Sequence, residues 1–134
     1  MNPCAIRLAW LLFATLVLAA SIEAVLVKVI LYNDLEDKKE LTIHCKSKDD
    51  DLGVHVLSYR ESYGFRFQPN YFARTLFFCR VTSNGKSHWF DVFDGEREWT
   101  WGEGCLETDD KCVWNVRQNG PCTGTFNHCY GWNK

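Results

Sequence analysis

Beyond its first 24 residues the chain has no apolar run near the roughly 20 residues that cross a bilayer as a helix. Lys28 already breaks the segment 25–32, so no membrane insertion of the mature product is expected. Positive charge is scarce as well. Fifteen Lys and Arg against 17 Asp and Glu leave a net charge of -2 and a pI near 6.1. A phosphate-backbone binder normally shows a basic face, so no nucleic-acid partner is expected. The chain has no Gly-x-Ser-x-Gly elbow and no His-Glu-x-x-His, and Gly102-Glu103-Gly104 lacks the third glycine of a dinucleotide loop. It also lacks a Cys-x2-Cys pair, the usual spacing of structural zinc, and an Asn-x-Ser/Thr glycosylation sequon. His44, His55, His88 and His128 read as ordinary surface or packed histidines. No catalytic residue, cofactor or metal site is predicted, and the chain is not expected to be an enzyme.

What the chain does have is cysteine. Seven occur in 134 residues, an odd number, but Cys4 lies in a segment built for removal during export. Arg7 is followed by an apolar run over residues 8–20 and then by small residues, the three parts of a secretory leader. At about 13 residues the run is too short to span a bilayer. Residues 1–24 are therefore expected to be a cleaved signal peptide, and the product to be secreted and extracellular. Cys45, Cys79, Cys105, Cys112, Cys122 and Cys129 remain, an even set that reads as a disulfide framework.

Along the mature chain, apolar and polar residues alternate with period two between turn signals, and no helical stripe is sustained. The alternating runs are 25–32, 41–46, 52–56, 63–68, 76–81, 88–93 and 112–116, with a short segment carrying Trp99 and Trp101. Asn84-Gly85 between two apolar runs is a hairpin signal, since both residues tolerate positive φ. The expected fold is all-β: a small disulfide-stapled two-sheet sandwich of seven or eight mainly antiparallel strands. The domain is expected over residues 25–120, followed by a disulfide-closed tail over 121–134. In that tail, with Pro121, Gly124 and Gly131, little besides a local Cys122–Cys129 loop is expected to impose order. Cys45 and Cys79 are then expected to take Cys105 and Cys112, in one order or the other.

Residues 44–57 contain a cysteine, a polar turn and then Asp51-Leu52-Gly53. Phe65-Arg66-Phe67 before Asn70, Thr75-Leu76-Phe77-Phe78-Cys79, Phe90-Asp91-Val92-Phe93, and Cys112-Val113-Trp114-Asn115-Val116 with Gly120 follow in order. Together these blocks resemble the plant self-incompatibility S1 family, the S-protein homologues, over roughly residues 25–120. Asp51, Leu52, Gly53 and Trp114 are the positions that carry the signature. Its physics is structural: Asp51 can accept amide hydrogen bonds, Leu52 packs, and Gly53 permits a geometry that a side chain would obstruct. The consecutive carboxylates of Asp49, Asp50 and Asp51 do not match the alternating ligands of a helix-flanked calcium loop. The resemblance matches four cysteines, Cys45, Cys79, Cys105 and Cys112, so Cys122 and Cys129 form an added pair.

The resemblance implies a secreted ligand. In the best-known members, stigma-borne S proteins are recognised by a pollen membrane protein, and pollen arrest follows calcium influx. A membrane receptor on a target cell is thus the implied partner. The alternative is a defence protein acting on microbes or carbohydrate. Loops over 34–39, 83–87, 94–104 and 107–111 are the candidate recognition surface, with Asp34, Asn84, Lys86, Glu96, Arg97, Trp99, Trp101, Asp109 and Asp110 as candidate contacts. If exposed, the two tryptophans would be good interface anchors, but at alternating spacing they more often pack on a core.

Overall fold

The computed structural model describes residues 26–70, 74–98, 105–106, 110–124 and 127–133. The expected leader therefore lies outside the described residues, as do Trp99, Trp101 and Asp109. The described chain forms eight strands: β1 (Val27–Asn33), β2 (Leu41–Lys46), β3 (Asp51–Leu57), β4 (Ser62–Phe67), β5 (Leu76–Ser83), β6 (Lys86–Asp94), β7 (Lys111–Arg117) and β8 (Gly120–Thr123). They make two four-stranded sheets, ordered β4-β1-β7-β8 and β3-β2-β5-β6. All pairings are antiparallel except β1 with β7.

Alternation decides which side chains enter the space between the sheets. Val27, Val29 and Leu31 of β1 face Leu41, Ile43 and Cys45 of β2 and Phe77, Cys79 and Val81 of β5 across a core sealed from water. Trp114 on β7 links the two layers: its indole N–H donates to the Val92 carbonyl of β6 at 2.9 Å, and its ring meets Phe90 edge-on at 5.4 Å.

In β3 the alternating run over 52–56 does not keep to one face: Leu52 packs on the core and the valines after it do not. Val54 and Val56 point outward, 62% and 55% exposed, while Leu57 is buried and the half-buried His55 stacks on Tyr63 at 3.9 Å. The cause is a register shift between His44 and Lys46, where Gly53 adopts φ 79° and adds an irregularity to the ladder. Because side chains alternate with period two, such a shift carries every later residue to the other face.

The disulfide expectation also needs correction. Cys45 pairs with Cys79, Cys105 with Cys112, and Cys122 with Cys129. Cys45 and Cys79 lie directly opposite each other on neighbouring strands, their Cα atoms 4.0 Å apart, so each meets the other rather than a cysteine of the 105–112 segment. Chain-entropy scaling gives about 4 kcal/mol for the 34-residue closure and about 2 kcal/mol for each seven-residue closure.

Nor is the segment after Gly120 a loosely ordered appendage. Gly120–Thr123 is an edge strand on β7, which is where a proline such as Pro121 is tolerated. The amide of Thr123 then donates to the His128 carbonyl, that of Tyr130 to Pro121 and that of Asn133 to Trp89, at 2.8 to 2.9 Å. The last bond reaches β6 in the other sheet, so the tail clasps the two layers along one side.

Five of the six sulfurs belong to residues no more than 2% exposed, whereas Cys129 is exposed. Mild reduction is accordingly expected to open Cys122–Cys129 first, since exchange requires access to sulfur. Timed alkylation and mass mapping should find label on Cys122 and Cys129 well before Cys45 or Cys79. Simultaneous labelling of all six would contradict that order.

Candidate functional site

The strand directions place the end of β1, the start of β2, the end of β5, the start of β6 and the end of β7 at one pole of the sandwich. Asn33 builds this pole from inside. Fully buried, it donates from its amide nitrogen to the carbonyls of Lys39 (2.8 Å) and Leu57 (3.0 Å), and its side-chain oxygen accepts from the Leu35 amide (3.1 Å). One side chain thereby fixes the β1–β2 loop against the end of β3. Sequence reasoning missed Asn33, because an asparagine beside charged residues carries no sign of burial.

Asp37 joins the loops to one another. Its Oδ2 accepts from the Asn84 side chain at 3.0 Å and from the Gln118 side chain at 2.9 Å. Gln118 also donates its backbone amide to Glu36 at 2.9 Å, and Arg117 pairs with Asp34 at 2.8 Å. Asn84 and Gly85 have φ of 53° and 72°, so the hairpin turns within two residues and brings Asn84 toward Asp37. Three loops distant in sequence thus become one hydrogen-bonded surface.

Between them lies a cleft of about 260 Å³, with Leu35, Leu41, Val81 and Val116 as floor and Lys86, His88, Arg117 and Trp132 around it. The Trp132 ring stacks on His88 at 4.9 Å and its N–H donates to the Gln118 carbonyl at 3.3 Å. Trp132 was missed because it belongs to the clasp, which only tertiary structure carries back to this pole.

The remaining candidate contacts sit elsewhere. Glu96 is exposed at the opposite pole, 3.7 Å from Arg74, and the Asp110 carbonyl accepts the Lys28 amide at 3.0 Å. Arg97 is half-buried, donating to the Asp91 carbonyl at 3.1 Å and pairing with Glu98 at 3.2 Å. The Glu98 side chain is only 2% exposed and accepts the amides of Cys105 and Leu106 at 3.0 and 3.2 Å. Its carboxylate lies close to the sulfurs of Cys105 and Cys112. Those sulfurs are bonded to each other and have no thiolate to offer a metal. Among the histidines, His44 points out of its sheet and His88 lines the cleft beneath, so these two do not share a face.

At the signature turn, Asp51 Oδ1 accepts the Gly53 amide at 2.9 Å and bonds His44 Nε2 at 2.6 Å. The amide and then the histidine hold its carboxyl below the usual carboxylate range. Asp94 is lowered too, chiefly because the Arg74 guanidinium grips both of its oxygens. A carboxylate lowered by folding contributes stability that is present above its unfolded pKa, near 4, and lost as pH falls through the folded value. Asp94→Asn is therefore expected to destabilise the protein at pH 6, and the gap to wild type is expected to close as pH falls through the lowered folded value. Urea midpoints measured from pH 2 to 7 check this; a gap independent of pH would refute it.

The family profile described as plant self-incompatibility protein S1 matches residues 28–132. The chain belongs to the plant self-incompatibility protein S1 family. S-protein homolog 2 of Arabidopsis thaliana is 44% identical over 111 residues, covering 79% of this chain and 68% of the relative. S-protein homolog 5 of the same plant is 39% identical over 105 residues, covering 78% and 77%. A solved structure of a self-incompatibility protein homologue, from a family described as widespread, small, highly stable, secreted proteins from plants, superposes with a TM-score of 0.57. It is 12% identical and covers 84% of this chain and 99% of its own, which establishes the shared fold. The family match runs past Gly120 through most of the tail, consistent with the clasp being part of the S1-family domain.

Proposed function

We propose that the mature S1-family chain is a secreted recognition or signalling ligand without chemistry of its own, and that its loop pole is read by a receptor protein on a plant cell surface. The observation that carries this reading is the Asp37 hub, which ties the β1–β2 loop, the β5–β6 hairpin and the β7–β8 turn into one surface. Loops fixed before encounter lose little conformational entropy on binding, so a modest surface can give high affinity. The bridges of the sandwich support such a surface outside the cell.

The test is binding of labelled, oxidised protein to plant cells, run beside leakage from protein-free vesicles. A receptor ligand saturates its sites at nanomolar concentration and leaves vesicles intact. Leakage at micromolar doses without saturable cell binding would favour direct attack on microbes, a mode that the net charge of -2 already disfavours on anionic membranes.

A further inference from the structure

We propose that the cleft at the loop pole receives one apolar side chain of a protein partner, and that a carboxylate next to it in the partner's sequence pairs with Lys86. This deepens the receptor reading and rests on it. At about 260 Å³ the cleft is smaller than the roughly 300 to 1,000 Å³ of sites for drug-sized ligands, which fits a side chain rather than a cofactor. Its floor is aliphatic, and its tryptophan wall is held by the His88 stack and the Gln118 carbonyl, so it is shaped before any partner arrives. Rigid tryptophan walls around desolvated pockets are where binding energy concentrates.

The rim selects the sign of the neighbouring group. Asn84 and Gln118 are engaged by Asp37, and Arg117 by Asp34. Of the two basic residues lining the cleft, Lys86 alone makes no ion pair with a described residue. It stands at the lip of an apolar hollow, so an apolar residue followed by Asp or Glu satisfies both features, whereas an apolar residue followed by Lys meets like charge.

The probes are two capped dipeptides, acetyl-leucyl-aspartyl amide and acetyl-leucyl-lysyl amide, titrated into isotope-labelled protein. The aspartyl peptide is expected to shift the amides of Val81 and Lys86 and the Trp132 indole, and to bind about fivefold more tightly than the lysyl peptide. Lys86→Glu, an exposed change on the hairpin that leaves the core intact, should reverse that preference. No shift at the cleft, or an unchanged preference in the variant, overturns the proposal. Cell binding separates the two levels. Equal saturable binding by wild type and Lys86→Glu would remove the cleft as receptor contact and leave the receptor reading standing. Absence of saturable binding by wild type would remove the receptor reading, while the dipeptide titration still decides the cleft.

Discussion

Trp114→Ala is expected to destabilise the fold by about 3 to 5 kcal/mol. The indole is 1% exposed, packs against Phe90 and Tyr130 at 5.4 and 5.8 Å, and lies 5.8 Å from the Arg97 guanidinium. Truncation leaves a cavity between the sheets and strips the Val92 carbonyl of its donor, two costs that add. Against a typical total of about 5 to 15 kcal/mol this is a large share. Trp114→Phe keeps most of the packing and loses the donor, so a smaller loss of about 1 to 2 kcal/mol is expected. Equilibrium urea unfolding with the disulfides intact measures both. A loss under about 1 kcal/mol for the alanine variant would show that the tryptophan does not hold the layers together.

Gly120→Ala is the second large effect. Gly120 has φ 150°, and a Cβ built there would stand 1.9 Å from the Tyr130 carbonyl oxygen. That atom belongs to backbone, so the clasp must move away, in addition to roughly 1 to 3 kcal/mol of local strain. The bonds from Tyr130 to Pro121 and from Asn133 to Trp89 should break, and the Trp132 wall of the cleft should leave with them. Hydrogen exchange is the readout: the Tyr130 and Asn133 amides are expected to exchange about 100-fold faster, while the β1 and β2 ladders follow only global stability. Gly131→Ala is the control, since a Cβ there meets nothing within 4 Å. Unchanged exchange at Tyr130 in Gly120→Ala would mean that the clasp does not bear on Gly120.

The fold was legible where a single physical rule governs a segment. Strict alternation in Leu41, Ile43 and Cys45 fixes the inward face of β2, and Asn84-Gly85 fixes the β5–β6 hairpin. Legibility failed where a remote partner decides. Gly53 was read as permitting unusual backbone, but its displacement of Val54 and Val56 to the outer face depends on the register against β2. Cys45 and Cys79 could be paired only once their strands were known to be neighbours. Gly120–Thr123 carries a proline and too few residues to show a period, so β8 has almost no local signal. At the candidate site, Asp34, Asn84 and Lys86 follow from turn chemistry. Asp37, Gln118 and Trp132 do not, because their significance lies in contacts spanning as many as 82 residues.

Non-reducing peptide mapping of the protein recovered from extracellular fluid tests most directly whether the chain is an exported sandwich closed by three defined bridges. It should yield a mature N-terminus near residue 25 and the pairs Cys45–Cys79, Cys105–Cys112 and Cys122–Cys129. A chain retained inside cells with residues 1–24 attached and free thiols at Cys45 and Cys79 would contradict it.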